Sequence, residues 1–454
     1  MKDLTQGSVI RHLLHMASFM AVSMFVQTLY LLADLYWVGR LGKEAIAAVG
    51  VAGNLMMIVL ALTQTLGVGT TALIAQAAGR KDQPHAQRVF NQSLFMSLLV
   101  GFAFAIGAFL LRNPYCGALS ADVATAGLAK IYLGWFIPAL ALQFPLVALG
   151  SALRATGIIK PAVGLQVLSV VLNIVLAPVF IFGLGPAPKM GVSGAAFATF
   201  IAIAIADVLM LIYFETKYHY VRVRLDQWRP QFQIYWALLK IGLPAGAEFA
   251  LWTLYAAIVY IIIRPFGAAA QAGFGVGGRI MQAMFLPVVA LSFAVAPVVG
   301  QNFGGRRAER VRHAVFAAIG LASAIMLVLA IVVWLEAPAF IRGFSDDPQV
   351  IAYGSEFLTI VALNFLASGI VFSTSSVFQG IGNTVPPLLS TASRLLLFAL
   401  PAAMVARAPW FQIRHVWYLS VASQVLQACL NLFLLRRELA RKLNFDLVPP
   451  TAVQ

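Results

Sequence analysis

The chain has 454 residues, 61% hydrophobic and only 10% charged, with a net charge of +15. Soluble domains carry about 25% charged residues, so this composition excludes one and points to an integral membrane protein. Barrel strands alternate apolar and polar residues over about ten positions; that pattern is missing here, which leaves helices as the spanning elements.

Twelve apolar stretches suit helices of about 20 residues crossing the hydrocarbon core. They are predicted at approximately 13–38, 46–76, 90–111, 127–152, 161–184, 191–215, 234–263, 269–301, 313–335, 351–378, 386–407 and 411–435. The second and eighth are too long for one straight span, so their ends are expected to project or bend. The first continues to full spanning length without a small-residue cleavage site, which excludes a cleavable signal peptide. It ends in LLADLYWVGRLG, with Asp34 inside the hydrophobic run. An ionised Asp near the bilayer centre costs roughly 2.5–3.5 kcal/mol, and such residues mark ion or proton paths. Asp34 is therefore the leading candidate for ion coupling, with Tyr36 and, in the second helix, Gln64 as further candidates for coupling or substrate contact.

Pro138 and Pro145 in the fourth helix and Pro178 in the fifth each remove a helix hydrogen bond and allow a bend. The fifth helix reads VLNIVLAPVFIFGLGP, with Asn173 as its one strongly polar residue, and the sixth carries Thr199 among small residues. Asn offers an acceptor and a donor and Thr a hydroxyl, so around Asp34 they could hold a proton-switched water network or a monovalent cation. Interhelical hydrogen bonding without function explains Asn173 equally well, and bonding to its own helix explains Thr199. Asp207 lies about 12 Å along the helix from Thr199 at 1.5 Å per residue; it is a candidate for a relay, coupling or substrate contact, with pairing to a basic residue near the inner face the leading expectation. In the seventh helix GLPAGAEFALW buries Glu248, the best acid of the second half. Arg394, in the eleventh helix, is a candidate charge partner for it.

Aromatic residues, Tyr30, Tyr132, Trp135, Trp252 and Tyr255 among them, suit lipophilic cations but anchor helices at interfaces just as well. Cys116 and Cys429 imply neither a disulfide framework nor a metal cluster.

Basic residues gather in alternate loops, for example Arg80, Lys81 and Arg88, then Arg222, Arg224 and Arg229, then Arg306, Arg307, Arg310 and Arg312. This is the positive-inside pattern of a plasma membrane protein with both termini cytoplasmic, not a nucleic-acid footprint. The second half also restates the first at a shift of 225 residues, the distance from Gln76 to Gln301. At that register Gly42 meets Gly267, Gly157 meets Gly382 and Pro161 meets Pro386. Six helices per repeat give parallel repeats, with a substrate path expected between them. The expected layout is an N-terminal lobe at 1–215, a cytoplasmic linker at 216–233, a C-terminal lobe at 234–435 and a tail at 436–454.

Several segments together resemble the multidrug and toxic compound extrusion (MATE) family. They are DLYWVGRLG at 34–42, AQAAGRKD at 75–82, LRATGIIKP at 153–161, NIVLAPVFIFGLGP at 173–186, GVSGAAFAT at 191–199 and QGIGNTVPP at 379–387. The resemblance covers nearly the whole chain. It implies an all-α membrane protein of twelve helices in two pseudo-symmetric six-helix lobes, exporting organic, often cationic, compounds in exchange for protons or sodium. The DinF-like branch places an Asp on the first helix, Asn and Asp on the fifth and Thr on the sixth; Asp34, Asn173 and Thr199 match three of these. The remaining Asp falls at Ala177, which favours proton coupling. NorM-like members use two acids of the C-terminal lobe where this chain has Trp252 and Ser368. Small organic substrates, the lipid bilayer, monomeric function and no cofactor beyond the coupling ion are expected.

A lipid-linked oligosaccharide flippase of the same superfamily is the rival; it favours a cavity rich in cations, whereas midmembrane basic residues are few, chiefly Arg279 and Arg394. GVSG at 191–194 resembles a rhomboid protease serine motif, but no later helix buries a His, and glycine packing accounts for it. There is no GxxxxGK[ST] for ATP-driven pumping. The chain is thus expected to be no enzyme.

Overall fold

The computed structural model describes residues 1–405 and 408–445, so the last part of the predicted tail, 446–454, lies outside the described residues. Thirteen α-helices account for most of the chain among the described residues. They are α1 (Val9–Gly39), α2 (Lys43–Gly79), α3 (Gln83–Leu119), α4 (Val123–Ala155), α5 (Lys160–Phe182), α6 (Val192–Thr216) and α7 (Phe232–Ile263). The series continues with α8 (Ala268–Gly304), α9 (Ala308–Arg342), α10 (Pro348–Val361), α11 (Asn364–Gly380), α12 (Val385–Val405) and α13 (Ile413–Lys442). Eleven are long and apolar enough to cross a membrane, and α10 with α11 make a twelfth.

Most helices outrun their apolar stretches. Both α2 and α8 extend over 37 residues, about 55 Å at 1.5 Å per residue, against a hydrocarbon core of about 30 Å. Each is thus longer than one straight span needs, which is the excess length behind the expectation that their ends project or bend. The tenth predicted span, 351–378, differs: it is broken, with α10 and α11 bent by 56°. At the break Leu363 and Phe365 bond three residues back, to Ile360 and Ala362, instead of four. That tighter local winding, with no proline involved, redirects the helix.

Helix ends follow from local chemistry. Asp82 and Asp122 cap α3 and α4 by accepting from the backbone N–H of His85 (3.1 Å) and Thr125 (2.7 Å). Such caps satisfy amide groups left open in the first turn.

The backbone divides into two units. Unit 1 comprises Met1–Asp3 and Val22–Leu243; unit 2 comprises Leu4–Ala21 and Pro244–Gln454. In unit 1, α4 is central and packs on α2, α3 and α6, while α5 packs on α6. In unit 2, α8 packs on α9, α10 and α11, and α13 closes on α11 and α12.

The repeat is written into the backbone. Gly157 and Gly382 share φ +74°, and Gly42 and Gly267 have φ +114° and +90°. Among the described residues only two that are not glycine have positive φ, Lys81 (+60°) and Arg306 (+55°), and they too stand 225 residues apart.

GVSG at 191–194 serves packing. A Cβ on Gly194 would lie 2.5 Å from the Phe180 backbone, so glycine is what lets α6 approach α5. Ser193 Oγ donates to its own Met190 carbonyl.

Candidate functional site

The polar residues of unit 1 converge from four helices. On α5, Asn173 is 2% exposed, and its Nδ2 donates to Thr199 Oγ1 on α6 at 2.8 Å. Thr199 Oγ1 donates in turn to the Ala195 carbonyl at 3.1 Å. Tyr30 of α1 brings its hydroxyl to Thr199 Oγ1 at 3.3 Å. A hydroxyl has one proton and two lone pairs. With its proton on Ala195, Thr199 accepts from both Asn173 and Tyr30, and its hydrogen-bonding capacity is used up.

Asp34 sits one turn beyond Tyr30 on α1 and is 7% exposed. Its Oδ1 is buried without a hydrogen-bond partner, and so is Asn173 Oδ1. Asp34 lies within electrostatic reach of Tyr30 and of Tyr132, which is buried on α4. The site therefore presents two buried acceptor oxygens with no donor, Asp34 Oδ1 and Asn173 Oδ1, beside a Thr199 hydroxyl whose hydrogen-bonding capacity is used up.

A cavity of about 80 Å³ opens against this cluster. Its polar wall is Gln27, Tyr30, Gln143, Gln166, Ser169, Asn173 and Thr199, and its apolar wall includes Met56, Phe136, Leu140 and Ile203. Drug-sized ligands need roughly 300–1,000 Å³, so this space suits a few waters or a small ion and not an organic cargo.

The glutamines and Ser169 escaped the sequence reading although a signal existed. Gln27, Tyr30 and Asp34 recur at intervals of three and four on α1, and Gln166, Ser169 and Asn173 do the same on α5. Each triplet forms one polar stripe on a helix.

Other candidates stand apart. Asp207 is 6% exposed, and neither carboxylate oxygen has a hydrogen-bond partner. The basic residue expected beside it is absent among the described ion pairs; its buried neighbours along α6 are Ile203, Ala206 and Met210, none of them charged. Tyr36 is 54% exposed and lies under the Arg40 guanidinium, 4.8 Å from its ring centre. Gln64 is half-buried and outside the cavity lining. The helix α5 continues through Pro178 to Phe182, and Ala177 is fully buried in the unit 1 core.

Glu248 belongs to unit 2. Its Oε1 accepts from Ser375 (3.1 Å, α11) and Thr391 (3.3 Å, α12), and Gln427 of α13 donates to Thr391 at 2.9 Å. Those hydroxyls take the place of the expected ion pair with Arg394, which lies over the Tyr255 ring instead. Trp252 packs edge-on against Phe372, 4.9 Å between centres.

The repeat, the helix count and the acid in α1 meet a direct comparison here. The family model named MatE matches residues 20–179 and 244–405, once in each half of the repeat and nearly in its register. The chain belongs to the MatE family. MatE proteins are transporters rather than enzymes, as the sequence reading expected, and this chain is a multi-span membrane transporter. The multidrug export protein MepA of Staphylococcus haemolyticus is 25% identical over 382 residues, covering 83% of this chain and 82% of that one. An FAD transporter of Shewanella oneidensis is 25% identical over 378 residues, 82% of each chain. Among solved structures, a MOP superfamily transporter from Pyrococcus furiosus is 28% identical with a TM-score of 0.89, covering 97% of this chain and 98% of its own. Thr199 falls between the two MatE segments, so its hydrogen bonds to Asn173 and Tyr30 rest on the structure and not on the family match.

Proposed function

We propose that this MatE protein is a secondary active exporter of small organic molecules, driven by protons that enter through Asp34 as access alternates between the two membrane faces. The observation that carries the reading is Asp34 itself, buried with an unpartnered oxygen next to the Asn173–Thr199–Tyr30 cluster. A carboxylate so placed is costly when charged and alone, so a proton arriving or leaving changes the local free energy by enough to favour one packing of unit 1 over another. The relative named as a multidrug export protein supports the direction of transport and the breadth of cargo.

Protons are favoured over sodium for two reasons. Thr199 has no lone pair left for a cation in this arrangement, and Ala177 stands where the related sodium-competent pattern has a second carboxylate. The coupling ion is the only cofactor in this reading. The clustering of Arg and Lys in alternate loops supports a bacterial inner membrane protein with both termini cytoplasmic. A single chain is the transporting unit.

Purified protein in liposomes, loaded with an organic cation and given a proton or a sodium gradient one at a time, tests the ion. Exchange driven by the proton gradient alone is the expected result. Exchange driven only by sodium would refute proton coupling, and lipid flipping without solute movement would favour the flippase reading.

A further inference from the structure

Unit 2 holds a cation inside a membrane helix without a counter-ion. Arg394 lies near the middle of α12 and is half-buried. Its Cζ stands 4.3 Å from the centre of the Tyr255 ring. Its Nε is buried with no hydrogen-bond partner, and among the described residues it forms no ion pair. A guanidinium does not lose its proton in proteins, and at this depth a charge is ordinarily paired, or its side chain reaches out to the interface.

Neither arrangement is found. Glu248, the acid whose carboxylate reaches α12, accepts from Ser375 and Thr391 through Oε1, and Thr391 is one turn before Arg394. Nor is Arg394 drawn along α12 toward its end. It is held over Tyr255 of α7, whose hydroxyl donates to Ser420 of α13 at 2.7 Å and whose ring lies 4.8 Å from Phe398. Tyr255 is thereby fixed, and it covers one face of the guanidinium while the Nε–H keeps no hydrogen-bond partner. Two more buried donors on the facing helices lack acceptors: Trp252 Nε1, one turn before Tyr255, and Trp417 Nε1, one turn before Ser420.

We propose that the interior of unit 2 binds an oxyanion, the carboxylate or phosphate monoester of an amphipathic organic substrate, on the guanidinium edge of Arg394. The planar fork of Arg matches the two oxygens of such a group, and the stacked ring preorganises it. The site widens the cargo from organic cations to molecules carrying an anionic group. It rests on the export reading only in calling the ligand a substrate.

The test reads binding, not transport. Full-length protein labelled with ¹⁵N-arginine is placed in phosphatidylcholine nanodiscs, and the Arg394 Nε resonance is identified by its loss in R394K. Decyl phosphate and decanoate should each move that resonance saturably, and decyltrimethylammonium should leave it in place. Calorimetry should show decyl phosphate binding at least about tenfold weaker in R394Q, with R394K, which keeps the charge, between R394Q and the parent. An unmoved resonance, or equal affinity in R394Q and the parent, overturns the proposal. So does a resonance already shifted in phosphatidylglycerol nanodiscs and insensitive to added decyl phosphate, since the oxyanion would then be a lipid headgroup. Loss of efflux with the resonance shift intact would instead count against the export reading alone.

Discussion

Thr199 is the residue on which the unit 1 cluster closes, and it separates a structural role from a coupling role. Replacing it with Val keeps the shape but leaves the Asn173 amide and the Tyr30 hydroxyl without an acceptor. A buried donor left unpaired costs about 1–3 kcal/mol, so T199V should unfold at a lower temperature than the parent, and T199S should recover most of the loss. Equal thermal unfolding of T199V and the parent would show that the cluster contributes nothing. Asp34 should behave in the opposite way: D34N keeps size and polarity, so folding is retained while proton-driven exchange falls to background. The position of Asp34 was legible because an acid in a long apolar run is conspicuous. Its neighbours were not. Gln27, Gln166 and Ser169 are ordinary helix-surface residues until the packing of α1 and α5 shows which stripe faces the cavity. For Arg394 and Asp207 the sequence suggested ion pairs; the structure gives neither, since hydroxyl groups can satisfy Glu248 and apolar packing can isolate an acid, and hydropathy does not distinguish these from pairing.

Among the elements, the stretch between α6 and α7 is held by side chains of α3. Asn91 and Gln92 of α3 bind its backbone from both sides: Asn91 donates to Arg222 O at 3.0 Å and accepts from Arg224 N at 2.7 Å. Gln92 donates to Arg229 O at 2.9 Å and accepts from Gln231 N at 2.9 Å. The segment is thus part of unit 1, clamped to the third turn of α3. Removing both amides in N91A/Q92A should free it, and trypsin should cut after Arg222, Arg224 or Arg229 several-fold faster than in the parent, about what a loss of 1–2 kcal/mol allows. An unchanged cleavage rate would mean the clamp is incidental. Nothing in the sequence announced it, because an Asn or Gln on a helix surface has many possible partners and these lie more than a hundred residues away. The break between α10 and α11 was equally hidden: it contains no proline, and its apolar run reads as one span. The twelve spans themselves were legible, since length and hydropathy decide what crosses a bilayer.

At the scale of the whole molecule the duplication is the organising fact. Paired positive φ values at Lys81 and Arg306, and at Gly157 and Gly382, show that the two halves preserve turn geometry where side chains have diverged. The left-handed conformation costs an L-residue about 1–2 kcal/mol. G157V and G382V should therefore each destabilise the protein by about that amount, whereas K81G and R306G should be neutral or stabilising. Thermal unfolding of the four variants checks this, and a large effect in one half without its counterpart would argue that the two turns are held by different means. The symmetry does not extend to the buried charges. Unit 1 buries Asp34 and Asp207, while unit 2 buries Glu248 and carries Arg394 over Tyr255. A common scaffold with different charged groups in its halves fits a division of labour in which one half senses the proton and the other meets cargo.

The measurement that bears most directly on Asp34 is proton movement coupled to cargo in liposomes containing either the parent protein or D34N. With an imposed proton gradient and a loaded organic cation, the parent should release cargo while protons cross the other way, and D34N should do neither at equal protein content and equal thermal stability. Proton-coupled release at the parental rate by D34N would contradict the account.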